Sequence, residues 1–218
     1  MGTVKLLICD FEGTLAYYEK KANPIDATNL IRALGHEIYF QKWEAARRFV
    51  FFVDIPKKHI HSWDMYMADV FRRLDEHIER ETVKQVADYY RDNTILRFYE
   101  DVPEIFSLPV KKCVATTMPR FYYPDMDLSG FDAVMTSLET GTAKGHPYFF
   151  TKAIKDFGVQ PDETLVVGND LYCDIIPAEE LGIGTVLIDR DNNMSDYRGR
   201  KIRSLSELHQ FFAPACTK

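Results

Sequence analysis

Cysteine is scarce in this sequence, long apolar runs are absent and basic residues are outnumbered, and each deficit removes a class of function. The four cysteines, Cys9, Cys113, Cys173 and Cys216, form neither a CxxC pair nor the spacing of a metal-ligand set, which argues against a disulfide framework or a cysteine-based zinc site. Cys9 and Cys113 fall in apolar runs that read as buried strands, so free thiols in a reducing, cytoplasmic setting are expected. The richest apolar stretch, Phe49 to Val53, falls far short of the roughly 20 residues that span a bilayer. Nor does the N-terminus MGTVKLLICDFEG, with one lysine before a short apolar run that ends in acids, read as a signal or transit peptide. With 27 Lys and Arg against 33 Asp and Glu, the formal net charge is −6. No general affinity for nucleic acid or an anionic membrane is expected, because such partners are held by surplus basic residues.

The sequence does contain two kinds of periodicity. VKLLIC at Val4 to Cys9 is a short apolar run that breaks directly into Asp, Gly and Thr, as a strand buried on both faces does where it enters a loop. Similar runs recur at Lys112 to Thr116, Phe131 to Met135, Thr164 to Val167 and Thr185 to Ile188, with helix-like segments between most of them, so parallel βαβ units are predicted. Pro147 opens one helix, with Phe150, Ala153, Ile154 and Phe157 on a face and Gly158 at its end. Ser204 and Glu207 form a capping-box pattern before Leu208, Phe211 and Phe212. Between about Tyr17 and Asn93 the spacing becomes helical instead: Tyr39, Trp43, Ala46, Val50 and Val53 share one face, and Trp63, Met67, Val70 and Leu74 share another. A doubly wound α/β core of residues 1–16 and 94–218, interrupted by a helical insertion at 17–93, is the expected fold. No internal repeat or low-complexity tract is present.

Polar clusters directly follow most of these strands, and open parallel sheets place ligand sites at the carboxyl ends of their strands. The clusters are Asp10-Phe11-Glu12-Gly13-Thr14, Thr116-Thr117, Lys144 within GTAKGHP, and Gly168-Asn169-Asp170 with Asp174 beyond. In order along the chain they read acid, hydroxyl, lysine, acid. This order resembles the haloacid dehalogenase superfamily, whose pattern is DxDxT, a strand-end Thr or Ser, a Lys often in a KPxP setting, and a GD-type acidic motif. Here the four read DFEGT, VATT, KGHP and GNDLYCD. The similarity covers residues 4 to about 190 and rests on the joint order of the motifs.

The resemblance implies a phosphatase acting on a small phosphorylated substrate. An ionised Asp10 would attack phosphorus to form an aspartyl-phosphate. Because carboxylate and phosphate dianion repel each other, Mg²⁺ is the implied cofactor, held by Asp10, the backbone carbonyl of Glu12 and an acid of the fourth cluster. Thr116 would bind a phosphate oxygen with Thr117 beside it, Lys144 would set a cation against Asp10 and the phosphoryl group, and Asp174 would orient Lys144 or a metal-bound water.

This chain departs from the pattern twice. In the fourth motif Asp170 lies four residues before Asp174 and Asn169 lies five before it; Asp170 is favoured as the ligand, since an anion binds Mg²⁺ better than an amide, with Asn169 as its partner. Glu12 stands where DxDxT has its second Asp, which keeps the carboxyl group of a general acid but moves it by one methylene. The insertion resembles the family's small helical cap, with hinges expected near Tyr17 to Asn23 and Arg91 to Asp101. Its Arg47-Arg48, Lys57-Lys58 and Arg72-Arg73 pairs read as solvated helix faces or as an attractor for an anionic substrate, and His59 and His61 as loop residues. Three other readings compete: a metal-independent 2-haloacid dehalogenase, a non-catalytic Mg²⁺ or phosphate binder, and a phospho-accepting receiver domain. Glu12, Gly168 to Asp170 and the helical insertion weigh against the first and the last.

Overall fold

The computed structural model describes residues 3–74 and 78–212, so Cys216 lies outside the described residues. In chain order, β1 (Leu6–Asp10) is followed by β2 (Ala16–Lys20) and then by α1 (Pro24–Ala33), α2 (Phe40–Phe49), α3 (Ile55–Lys58), α4 (Trp63–Arg73) and α5 (Arg80–Asp92). The chain returns through β3 (Ile95–Phe98) and continues as β4 (Lys111–Ala115), β5 (Ala133–Met135), α6 (Ser137–Thr140), α7 (Pro147–Phe157), β6 (Thr164–Gly168), β7 (Gly184–Ile188) and β8 (Lys201–Ile202).

Six strands form one parallel sheet in the order β5-β4-β1-β6-β7-β8. β1 lies in its middle, pairing Asp10 with Ala115 on one side and Cys9 with Val167 on the other. This is the fold class the strand-helix alternation predicts. Successive side chains of a strand point to opposite faces, and β1 accordingly sends Leu6 and Ile8 into a core with Phe149, Phe150 and Ala153 of α7, and Leu7 and Cys9 into the core on the other face. All four are fully buried, which explains why the run shows no polar alternation. Gly158 ends α7 in the left-handed conformation (φ +65°), as its position after the apolar face predicts.

Three elements differ from the sequence expectation. Residues 17–20, expected within the helical insertion, instead belong to β2, which pairs with β3 as an antiparallel ribbon. The apolar stripe of the second helix stops at Val50, because residues Val50–Asp54 widen into a π-helical turn that breaks the 3.6-residue period; at its other end Tyr39 precedes the helix and is 66% exposed. Near the C-terminus, the Ser204–Glu207 capping box is present but caps a 3₁₀ segment, Leu205–Phe211, which buries Leu205 and Leu208. No described helix is long and apolar enough to cross a membrane.

Candidate active site

Asp10, Thr116 and Asn169 occupy the carboxyl ends of β1, β4 and β6, three neighbouring strands, so the sheet itself brings the first, second and fourth motifs together. Lys144 reaches them from the loop before α7. The site lies where the strand order turns outward from β1 in both directions, the usual place for a ligand crevice in such a sheet.

The loop after Asp10 is a tight turn. Phe11 is buried with its ring 4.4 Å from that of Tyr123, and its carbonyl accepts from Leu15 N–H (2.9 Å) and Ala16 N–H (2.7 Å). Gly13 has φ +84°, and a Cβ there would stand 2.3 Å from the Asn169 side chain. Only glycine permits both that conformation and that approach. With the loop so close, the inward-facing atom of the Asn169 amide lies 2.9 Å from Asp10 Oδ2 and 3.0 Å from the Glu12 carbonyl oxygen. Turned with its nitrogen inward, the amide donates to both; turned with its oxygen inward, three oxygens face one another.

Asp170 lines the same cavity but commits one carboxylate oxygen to the backbone. Its Oδ1 accepts from Tyr172 N–H (2.7 Å) and Cys173 N–H (2.9 Å), capping the helical turn that follows. The expectation that Asp170 rather than Asn169 faces the metal position therefore meets an opposing geometry: a helix N-terminus competes for an adjacent carboxylate, because its free N–H groups need an acceptor.

Lys144 contacts Asp10 Oδ1 and lies 2.7 Å from Asp174 Oδ1, with all three side chains no more than 7% exposed. Burial alone would lower the pKa of Lys144, but the carboxylates of Asp10 and Asp174 outweigh it and raise the value. Burial, reinforced by the negative charge of Asp10, raises that of Asp174, against the opposing pull of Lys144. The second oxygen of Asp174 accepts from Asp170 N–H (3.0 Å). Asp174 thus holds both the lysine and the fourth-motif backbone.

The two threonines divide their tasks. Thr116 Oγ1 accepts from Met118 N–H (3.0 Å), which leaves its own proton free to donate. Thr117 Oγ1 accepts from Lys144 N–H (3.2 Å), so it ties the lysine loop to the end of β4. The carboxylate of Glu12 turns away from its carbonyl toward Lys21, 3.4 Å distant, and remains 43% exposed.

These residues line a cavity of about 370 Å³ whose remaining wall includes Met118, Phe51 and Phe52. The two phenylalanines come from the π-helical turn of the helical insertion and place an apolar surface against the charged site. Sequence periodicity assigns that stretch to the interior of the bundle and misses this role. The available signal was surplus: FVFFV holds more apolar side chains than one helix face can bury.

Four of the six paired basic residues of the insertion, Arg47, Lys58, Arg72 and Arg73, are occupied locally. Arg47 makes two hydrogen bonds to Glu44 (2.7 and 3.1 Å), Lys58 pairs with Asp54 (3.2 Å) and Asp69 (3.1 Å), Arg73 pairs with Asp54 (3.1 Å), and Arg72 contacts Asp69. His59 and His61 stack with ring centroids 6.1 Å apart, and among the described residues no three His, Cys, Asp or Glu side chains gather as a metal centre.

A haloacid dehalogenase-like hydrolase family model matches residues 4–182. The chain belongs to that family. Among curated relatives, glyceraldehyde 3-phosphate phosphatase of Methanocaldococcus jannaschii is 42% identical over 82 residues, 36% of each chain. The Pyrococcus furiosus protein of the same name is 46% identical over 56 residues, 26% of this chain and 23% of that one. The alignments thus span about a third or less of the relatives' length. Solved haloacid dehalogenase-like structures share the fold along nearly the whole chain. A 2-haloacid dehalogenase from Pseudomonas syringae has TM-score 0.69 at 18% identity, covering 96% of this chain and 98% of that one. A HAD phosphatase from Thermococcus onnurineus has TM-score 0.63 at 24% identity with the same coverage.

Proposed function

We propose that the protein is a Mg²⁺-dependent phosphomonoesterase that forms an aspartyl-phosphate on Asp10 and acts on a small phosphorylated metabolite of about triose size. The observation that carries this reading is the split environment of Asp10: one oxygen is paired with buried Lys144, the other faces the Glu12 carbonyl and the Asn169 amide. A metal-independent attack on carbon needs no such second face.

The residues fit a hard cation. Mg²⁺ bonds to oxygen at about 2.1 Å in an octahedron, whose edges are then about 3.0 Å; the Asn169 position is 2.9 and 3.0 Å from its two neighbours. Asp10 Oδ2, the Glu12 carbonyl and the Asn169 side-chain oxygen are the proposed ligands, one carboxylate among three donors, as suits an ion that keeps several waters. Once bound, the ion supplies charge neutralisation between carboxylate and phosphate.

The chain's own groups do the rest. Asp10 attacks phosphorus in line while Thr116 donates its free hydroxyl proton to a phosphoryl oxygen and Lys144 neutralises charge developing on the same group. Thr117 and Asp174 hold Lys144 in place. Glu12 delivers a proton to the leaving alkoxide and then accepts one from the water that hydrolyses the aspartyl-phosphate, which requires its carboxyl to leave Lys21 and turn inward. Phe51 and Phe52 limit water around the site, favouring transfer along this route. Glyceraldehyde 3-phosphate is the substrate named for the partial relatives, and a triose phosphate fits the cavity volume. The test is release of inorganic phosphate from glyceraldehyde 3-phosphate and from aryl phosphates, with Mg²⁺ and with a chelator, beside halide release from 2-haloacids. Phosphate release that disappears with the chelator supports the reading. Halide release with no metal and no phosphate release would replace it.

A further inference from the structure

Arg190 follows β7 at the same sheet edge as the site, yet belongs to none of the four motifs. Its guanidinium makes two hydrogen bonds to the Asp101 carboxylate, both 2.9 Å, donates to the backbone carbonyl of Thr14 at 2.7 Å, and lies 3.7 Å from the centroid of the Tyr99 ring. The arginine and aspartate side chains are only 16% and 17% exposed. Asp101 also accepts from Ser204 Oγ (2.8 Å) and Leu205 N–H (2.9 Å). Burial opposes its charge, but these donors, Arg190 first, hold its carboxyl below the usual range.

Three separate segments therefore meet at the Arg190–Asp101 pair. Thr14 ends the loop that starts at the nucleophile Asp10. Tyr99 and Asp101 lie where the chain re-enters the sheet domain after β3, and Ser204-Leu205 begin the C-terminal 3₁₀ segment. The next carbonyl of the nucleophile loop, Leu15, is held from the same side by Tyr99 N–H at 2.9 Å. Two consecutive carbonyls of the loop are thus fixed by the return crossing and its arginine. A planar fork can make such a bidentate bond and a third bond together; lysine cannot.

We propose that Arg190 is a positioning residue. Anchored to β7, it fixes the loop that carries the Glu12 carbonyl to the core, and fixes the return crossing at the same point, so that movement of the helical insertion about β2 and β3 leaves the nucleophile loop in register. Displacing a catalytic group by about 1 Å can cost on the order of 10²-fold in rate; Asn169 holds the loop from the β6 side at the Glu12 carbonyl, and Arg190 holds it from the β7 side at the Thr14 carbonyl. The inference rests on the phosphatase reading, but one arm of its test does not.

The variants are Arg190→Gln, Arg190→Lys and, as a control, Lys201→Gln, which removes a nearby ion pair to Asp189 (3.4 Å) that does not touch the loop. Three measurements are made on each: kcat and KM for an aryl phosphate at saturating Mg²⁺, the thermal unfolding midpoint, and amide hydrogen exchange across residues 11–16 and 99–102. For Arg190→Gln, kcat should fall by about ten- to a hundredfold with KM changed far less, and exchange should quicken at Leu15, Ala16 and Tyr99 while the β1 amides stay protected. Arg190→Lys should recover thermal stability but not kcat, and Lys201→Gln should match wild type in kcat and loop exchange. Unchanged loop exchange in Arg190→Gln would overturn the proposal, as would a kcat loss that Arg190→Lys restores together with stability. If the wild type hydrolyses no phosphate ester, the phosphatase reading fails, and the exchange measurement alone decides whether Arg190 pins the loop.

Discussion

The sheet edge and the helical insertion each bury two aspartates against basic side chains, and they balance them differently. In the insertion, Asp54 and Asp69 are met by Lys58, Arg72 and Arg73, so cations outnumber anions. At the sheet edge, Lys144 is the one cation paired with Asp10 and Asp174 among the described residues. Buried charge is costly unless compensated. The first cluster is complete as it stands and ties the π-helical turn and Lys58 to α4. The second retains negative charge, and the remaining oxygen of Asp10 is left to the Asn169 amide, which also reaches the Glu12 carbonyl. Residue types alone do not separate a structural ion cluster from a functional one; the charge balance does.

Four perturbations test that contrast, beginning with the largest effect. Asp10→Asn should lower phosphatase kcat by about 10⁴ or more while the fold persists, and far-UV circular dichroism beside phosphate release checks both halves. Next, Glu12→Ala should lower kcat on alkyl phosphates by about 10²–10⁴ and on activated aryl phosphates by less, since good leaving groups need little protonation. Equal rates on both substrate types would remove Glu12 as the acid. Glu12→Asp, which restores the family's usual reach, should be at least as active as wild type.

Asn169→Ala should raise the Mg²⁺ concentration for half-maximal activity by at least about tenfold, and more than Asp170→Ala does. The latter should instead lower stability by about 1 kcal/mol, as loss of an N-cap does. The opposite ranking, read by calorimetric Mg²⁺ titration, would return the ligand role to Asp170. Smallest in its effect on catalysis, Asp69→Ala should leave kcat within error but lower stability by about 1–3 kcal/mol, because it strips partners from Lys58 and Arg72. A large kcat loss at unchanged stability would mean that the insertion's charges also serve the site.

Much of this contrast is legible in the sequence, for a physical reason. A strand buried on both faces must be a continuous apolar run, so VKLLIC and TLVV mark their own ends, and the polar residues just past those ends fall at one edge of the sheet. The fourth motif is harder to read: Asp170 is the better ligand in isolation, and only the helix N-terminus shows that one of its oxygens is engaged while the Asn169 amide lies beside Asp10. The β2–β3 ribbon was hidden for another reason. AYYEK and ILRF carry charged residues and are mostly not buried, so neither shows the continuous apolar run of a central strand, and their pairing depends on segments far apart in the chain. Phe51 and Phe52 escaped because they lie off the stripe of Val50 and Val53, and helical spacing says nothing of what an off-stripe side chain meets in a π-helical turn.

The ribbon also governs how the molecule is partitioned. Lys20 and Ile95 are register partners, so the chain leaves and re-enters the ribbon at points about one strand spacing, some 5 Å, apart. Seen from the sheet, everything between residues 21 and 94 is a single excursion with coincident start and finish. Its length can vary without moving the two points at which it joins the sheet domain, much as a pendant can be exchanged on an unchanged clasp, provided the face around Trp63 that packs on Phe121 and Tyr122 is kept. A lineage could replace the roof of this site and keep the chemistry beneath it.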